Sequence, residues 1–172
     1  MPNGLYESDF EETTIERLKS IGYDYLHAMN LFGRSSLGEV VLRDRLETFL
    51  RKTYPRIPAR HLPALVDRLT DPDGVTSLQR NERFHDMLTK GIDFSWEENG
   101  EQVFQHVYPV NWDEPEANDF LVVNQLPIEG RMARRPDLIV FVNGLPLVVF
   151  ELKSPYSEQA SIEDAYTQIT NY

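Results

Sequence analysis

Three short apolar runs constrain the fold of this chain more than anything else in it: FLVVNQL at 120–126, DLIVFV at 137–142 and PLVVFELK at 146–153. Each has strand length and strand composition, and each falls well short of the roughly 18 residues that a membrane helix needs. Their near-continuous apolar character predicts strands buried on both faces. Asn143-Gly144 separates the last two, and this pair suits the left-handed backbone of a two-residue hairpin turn, so 137–142 and 147–153 are expected to pair antiparallel.

Charge returns only at the far end of that hairpin, where Asp137 opens one run and Glu151 and Lys153 close the other. The register decides whether they meet. A strict two-residue loop sets Asp137 opposite Phe150 and turns Glu151 to the other face. One extra residue, as a longer loop or a bulge, sets Asp137 opposite Glu151, with β-carbons about 4.5–5.5 Å apart, and Lys153 then shares the face. This second register, from an odd loop or a bulge, is the one expected. Two carboxylates so placed repel one another, and a hard divalent cation with oxygen ligands, Mg2+ above all, relieves the conflict. Such a cation polarises a phosphoryl oxygen and acidifies water, and a neighbouring lysine can orient that water or offset charge, so the hairpin holds the parts for phosphodiester hydrolysis.

Upstream, the periodicity is helical. TTIE at 13–16 has the form of a capping box with Gly22 as a stop, and SLGE at 36–39 repeats the device before a stripe of Leu42, Leu46, Phe49 and Leu50. A third helix is expected within 58–70. A fourth, capped by Thr76 and ended by Gly91, places Leu78, Phe84, Met87 and Leu88 mostly inward. Beyond Gly91 the period becomes strand-like, with IDFSW and QVFQHVYPV joined through Asn99-Gly100. SIEDAYTQITNY then predicts a last helix capped by Ser161, with Ile162, Ala165, Ile169 and Tyr172 at helical intervals.

Composition removes several classes of function. The chain has 172 residues and no cysteine, which excludes a disulfide scaffold, a thiolate metal site and a cysteine nucleophile, and fits a reducing cytoplasm. No apolar run spans a membrane, and MPNGLYESDF lacks the basic and apolar regions of a signal peptide. The net charge of −11 is the reverse of the basic footprint of a protein that holds nucleic acid alone. If DNA is the substrate, something else brings it. His27, His61, His85 and His106 are scattered without ligand spacing, which predicts structural or surface histidines.

Pro136-Asp137 followed after thirteen residues by Glu151-Leu152-Lys153 resembles the PD-(D/E)xK nuclease signature. Together, NDFLVVNQ, RRPDLIVFVNGLPLVVFELKSP and QITNY, with GYDYLHA and RNERFHDML upstream, resemble the amino-terminal endonuclease domain of type I restriction enzyme R subunits over most of the chain. The resemblance implies a mixed α/β (α+β) fold with a PD-(D/E)xK core, a central sheet and flanking helices. It implies one nuclease domain over 1–172, mainly helical over 1–91 and sheet with a following helix over 92–172, as part of a longer subunit. It makes Asp137 and Glu151 metal-binding acids, Lys153 the catalytic lysine, and Gln168 and Tyr172 the Gln-x-x-x-Tyr element that places DNA or supports the site. Related nucleases often draw another acid from an early helix. Glu39 is the candidate, against its simpler role in the capping box. Arg134 and Arg135, with Arg131, suit either phosphate contact or protection of a strand edge.

The same resemblance implies Mg2+ as cofactor, DNA as substrate, methylation and specificity subunits as partners, a cytoplasmic location and no membrane. It also implies an ATP-driven motor, although the chain has no G-x-x-x-x-G-K-[ST] loop, so ATP belongs to the motor domains. The alternatives are a nuclease-like docking or regulatory module that does not cut, and a repair or structure-selective nuclease on the same core. The presence of all three of Asp137, Glu151 and Lys153 favours cutting.

Overall fold

The computed structural model describes residues 7–130 and 133–153, and beyond them only Ile162, Glu163, Tyr166 and Thr167. In chain order the elements are α1 (Glu7–Ser20), β1 (Asp24–His27), α2 (Arg43–Thr53), α3 (Leu62–Thr70), α4 (Ser77–Lys90), β2 (Ile92–Glu98), β3 (Glu101–Val107), β4 (Phe120–Asn124), β5 (Ile128–Glu129), β6 (Ala133–Arg134), β7 (Leu138–Val142) and β8 (Leu145–Phe150), with short 3-10 turns between. The fold is mixed α/β, as expected, with four α-helices among the described residues. It divides into two units, one made of residues 1–40 with 120–172 and the other of 41–119.

The first unit holds the central sheet, ordered β1-β4-β7-β8. β1 runs parallel to β4, and the other neighbours are antiparallel. β4 and β7 are the inner strands, and Leu121, Val122, Val123, Leu138, Ile139 and Phe141 are all buried. Ile15 of α1 joins Val122, Leu138 and Val140 on one face, with Leu18, Tyr23 and Tyr25 packed around them. The apolar run of β8 was expected to be buried on both sides, yet Val148 and Val149 are 46% and 37% exposed. Among the described residues β8 has a strand neighbour on one side only, so burial cannot match that of the inner pair.

Two expected helix starts lie elsewhere. α1 begins at Glu7, so Thr13 sits mid-helix, and α2 begins at Arg43 with Leu42 at the N-cap and no side-chain cap. The helix stop is as read. Gly22, at φ 100°, lets Tyr23 and Gly22 donate back to the carbonyls of Leu18 and Lys19, closing α1.

The second unit packs α2 and α3 through Leu46, Phe49, Leu50, Leu62, Leu65, Val66 and Leu69, all buried. Thr76 caps α4 in a full capping box with Gln79, and Gly91 ends the helix. Of the stripe expected to face mostly inward, Phe84, Met87 and Leu88 are half-buried, whereas Leu78 is exposed. β2 and β3 form a separate two-stranded sheet around Asn99-Gly100, both at positive φ as the turn requires. Of the last expected helix, the four described residues are helical, and Ile162 is exposed.

Candidate active site

The β7–β8 hairpin turns at Asn143 and Gly144, with φ of 51° and 81°. Val142 faces Leu145 and Phe141 faces Pro146, and from there the register shifts by one, so that Val140 faces Val148, Ile139 faces Val149 and Leu138 faces Phe150. Leu147 is thus the extra residue of a bulge. It follows Pro146, which has no N–H to give a ladder, and prolines within sheets gather at edges and bulges. The ladder ends at Leu138 and Phe150, so Asp137 and Glu151 stand next to its last pair at the same end of the hairpin, in a register shifted as the sequence led one to expect.

Both carboxylates are poorly hydrated. Asp137 is 9% exposed, and its Oδ2 accepts from the backbone N–H of Leu152 at 2.6 Å. The Glu151 side chain is 5% exposed, and its Oε1 accepts from Lys153 Nζ at 3.3 Å. Leu152 therefore points its backbone at one acid while its neighbours carry the other acid and the ammonium. A pair of buried carboxylates is a donor set that fits magnesium, which commonly takes one or two and fills its octahedron with water and phosphate oxygens. No third ligand joins them, because among the described residues no three His, Asp or Glu side chains gather closely enough to hold one ion.

Glu39, the expected third acid, lies in a loop and not in a helix. Its Oε2 accepts from the N–H of Ser35, and its carbonyl accepts from Arg34, whose guanidinium also donates to the carbonyls of Leu37 and Pro127. Burial lowers the Arg34 pKa from its usual value, with the Glu39 charge opposing. Gly38 allows this loop close to β5, since a β-carbon there would meet the Glu129 carbonyl at 3.0 Å. The capping-box reading of Glu39 also fails, since the chain does not become helical until Arg43.

Arg134 lies in β6, which pairs with β5 in a two-residue ribbon just ahead of the site, and Arg135 is exposed beside it. Arg131, Gln168 and Tyr172 lie outside the described residues. The histidines fill structural roles where their bonds are seen: His27 accepts from Met29 N–H, and His106 bonds Asp93 and the Lys90 carbonyl.

One network was not read from the sequence. Glu11 of α1 accepts from Asn124 Nδ2 at 2.6 Å through one oxygen and from Gln125 Nε2 at 2.8 Å through the other. Tyr25 OH donates to Asn124 Oδ1 at 3.1 Å, and the Gln125 N–H donates to the carbonyl of Asp137 at 3.0 Å. Burial first, and then the Glu11 charge, raise the Tyr25 pKa above its ordinary value, which keeps its proton available to donate. Glu11 and Asn124 are 113 positions apart, and only the buried, polar end of an otherwise apolar FLVVN hinted at a partner.

Residues 4–172 match the family described as "Type I restriction enzyme R protein N terminus". The chain is 38% identical, over 98% of its length, to the type I restriction enzyme HindI endonuclease subunit of Haemophilus influenzae, covering 17% of that protein. It is 33% identical over 91% of its length to the putative type I restriction enzyme MjaIXP endonuclease subunit of Methanocaldococcus jannaschii, covering 16% of it. It is 27% identical over 96% of its length to the type I restriction enzyme EcoprrI endonuclease subunit of Escherichia coli, covering 49%. The chain thus spans about a sixth of the first two of these relatives.

Proposed function

The chain belongs to the family of type I restriction enzyme R protein N termini, and from that premise we propose that it is the metal-dependent DNA endonuclease domain of such a subunit, built on a PD-(D/E)xK core. The observation that supports the reading is the register shift at Leu147, which pairs Leu138 with Phe150 and leaves Asp137 and Glu151 next to that last pair at one end of the hairpin, with Lys153 on Glu151.

Asp137 and Glu151 would hold Mg2+, which when bound supplies a Lewis acid for the phosphoryl oxygens and a more acidic water. The remaining work falls to the chain. The N–H of Leu152 fixes the rotamer of Asp137. Lys153, anchored on Glu151, places a positive charge beside the acids, where it can orient the attacking water or offset charge on the phosphate. Arg134 and Arg135 stand close in sequence to Asp137 and suit contacts to the DNA backbone, while Gln168 and Tyr172 are proposed to help place the strand. The DNA would be delivered by an ATP-driven motor in the same polypeptide and selected by methylation and specificity subunits, in the cytoplasm.

The test uses the full subunit in its assembly, with Asp137→Ala, Glu151→Ala and Lys153→Ala compared for ATP hydrolysis, translocation and DNA cleavage. Cleavage is expected to fall by at least about a hundredfold in each, with translocation intact. Cleavage near the wild-type rate in the Asp137 and Glu151 variants would make the carboxylate pair structural and move the cutting centre elsewhere.

A further inference from the structure

We propose that Glu11 is a positioning residue for the carboxylate pair, holding the end of β4 through the side-chain amides of Asn124 and Gln125; this deepens the nuclease reading above and rests on it. Asn124 closes β4, facing Leu138 on β7 and His27 on β1. In an extended strand, successive side chains point to opposite faces, so residues 124 and 125 could not both reach one carboxylate. Gln125 departs from the strand with φ +54°, a left-handed conformation that a residue with a β-carbon rarely adopts. That departure brings both amides to the two oxygens of Glu11.

The same departure aims the backbone of Gln125 at the site. Its N–H donates to the carbonyl of Asp137, and the Asp137 carboxylate in turn accepts from Leu152, the residue between Glu151 and Lys153. Glu11 is therefore connected to all three site residues through hydrogen bonds and single peptide links. Tyr25 sets the orientation of the Asn124 amide by donating to its oxygen, which leaves the NH2 group facing Glu11. Both Glu11 oxygens accept from amides, and Glu11 forms no three-acid group with Asp137 and Glu151, so its place is that of a support and not of a ligand.

The experiment compares Glu11→Ala, Gln125→Gly and Asp137→Asn in the full-length subunit. In the assembled enzyme, Glu11→Ala is expected to raise the Mg2+ concentration for half-maximal cleavage about 10- to 100-fold, recoverable with excess metal and with ATP hydrolysis unchanged. In the subunit without metal, amide hydrogen exchange at Gln125 and Leu152 is expected to quicken. Gln125→Gly tolerates the left-handed backbone but lacks one donor, and should shift both readouts in the same direction by less. Wild-type metal dependence and wild-type exchange in Glu11→Ala would overturn the clamp, as would a loss of cleavage that no metal concentration restores, which would make Glu11 a catalytic group. If Glu11→Ala does not fold, Gln125→Gly decides on the same readouts. Asp137→Asn separates the two ideas: if it cuts, the site reading fails, whereas if it does not cut and Glu11→Ala behaves as wild type, only the clamp fails.

Discussion

His106 has an acceptor at each ring nitrogen, Asp93 Oδ1 at 2.7 Å and the Lys90 carbonyl at 2.7 Å, and only the imidazolium can donate to both. The Asp93 bond, then the carbonyl, raise its pKa above the ordinary value. A raised folded-state pKa means that the contribution to stability is complete below the unfolded value and is lost as pH climbs through the folded one. The urea midpoint of the wild type is therefore expected to fall between about pH 6 and pH 9, and Asp93→Asn should flatten that slope. The exposed setting keeps the effect small. At this same scale the sequence marks out the candidate residues and is mute about the hydrogen bonds behind them. Asp137, Glu151 and Lys153 could be picked out because charge interrupts an apolar hairpin, whereas Glu11 looked like one more acid on an exposed helix until α1 was docked on Asn124.

At the scale of elements, capping shows where local signals suffice. Thr76 and Gln79 satisfy each other's backbone N–H groups at the start of α4, as their spacing implied. TTIE has the same form but lies inside α1, where the Thr14 hydroxyl donates to the carbonyl of Phe10 and no helix starts. Thr76→Ala is thus expected to cost about 1 kcal/mol in urea unfolding, and Thr13→Ala to change stability by less than about 0.5 kcal/mol. The strands and the Asn-Gly turns were legible for a related reason: apolar runs and left-handed turn residues specify their structure over a few positions. A shifted register was expected from the spacing of Asp137 and Glu151, but its seat at Leu147, next to Pro146, was not. The exposure of β8 and of Leu78 was not legible, because it depends on which neighbours the tertiary structure supplies, and a pattern of apolar residues does not name them.

For the whole molecule, charge and topology matter most. A net charge of −11 opposes, for the chain as a whole, the counterion release that gives proteins affinity for duplex DNA. Titrated alone against a labelled duplex at physiological salt, it is expected to bind with a dissociation constant weaker than about 10⁻⁴ M and to cut little or nothing; tight binding or efficient cutting by the chain alone would contradict the delivery role given to the motor. Among the described residues no helix is long and apolar enough to cross a membrane. The division into units bears on how the site comes to exist. The central sheet joins Tyr25 to Asn124, 99 positions apart, with the whole of 41–119 between. Closing a flexible loop of that length costs roughly 4 kcal/mol from its length-dependent part alone, and the contacts that repay it form late. During synthesis β1 must therefore wait for its neighbour β4 until the whole of 41–119 has been made, so this side of the central sheet closes only after that segment is out. Damage to the intervening segment would slow that closure without touching a single residue of the sheet.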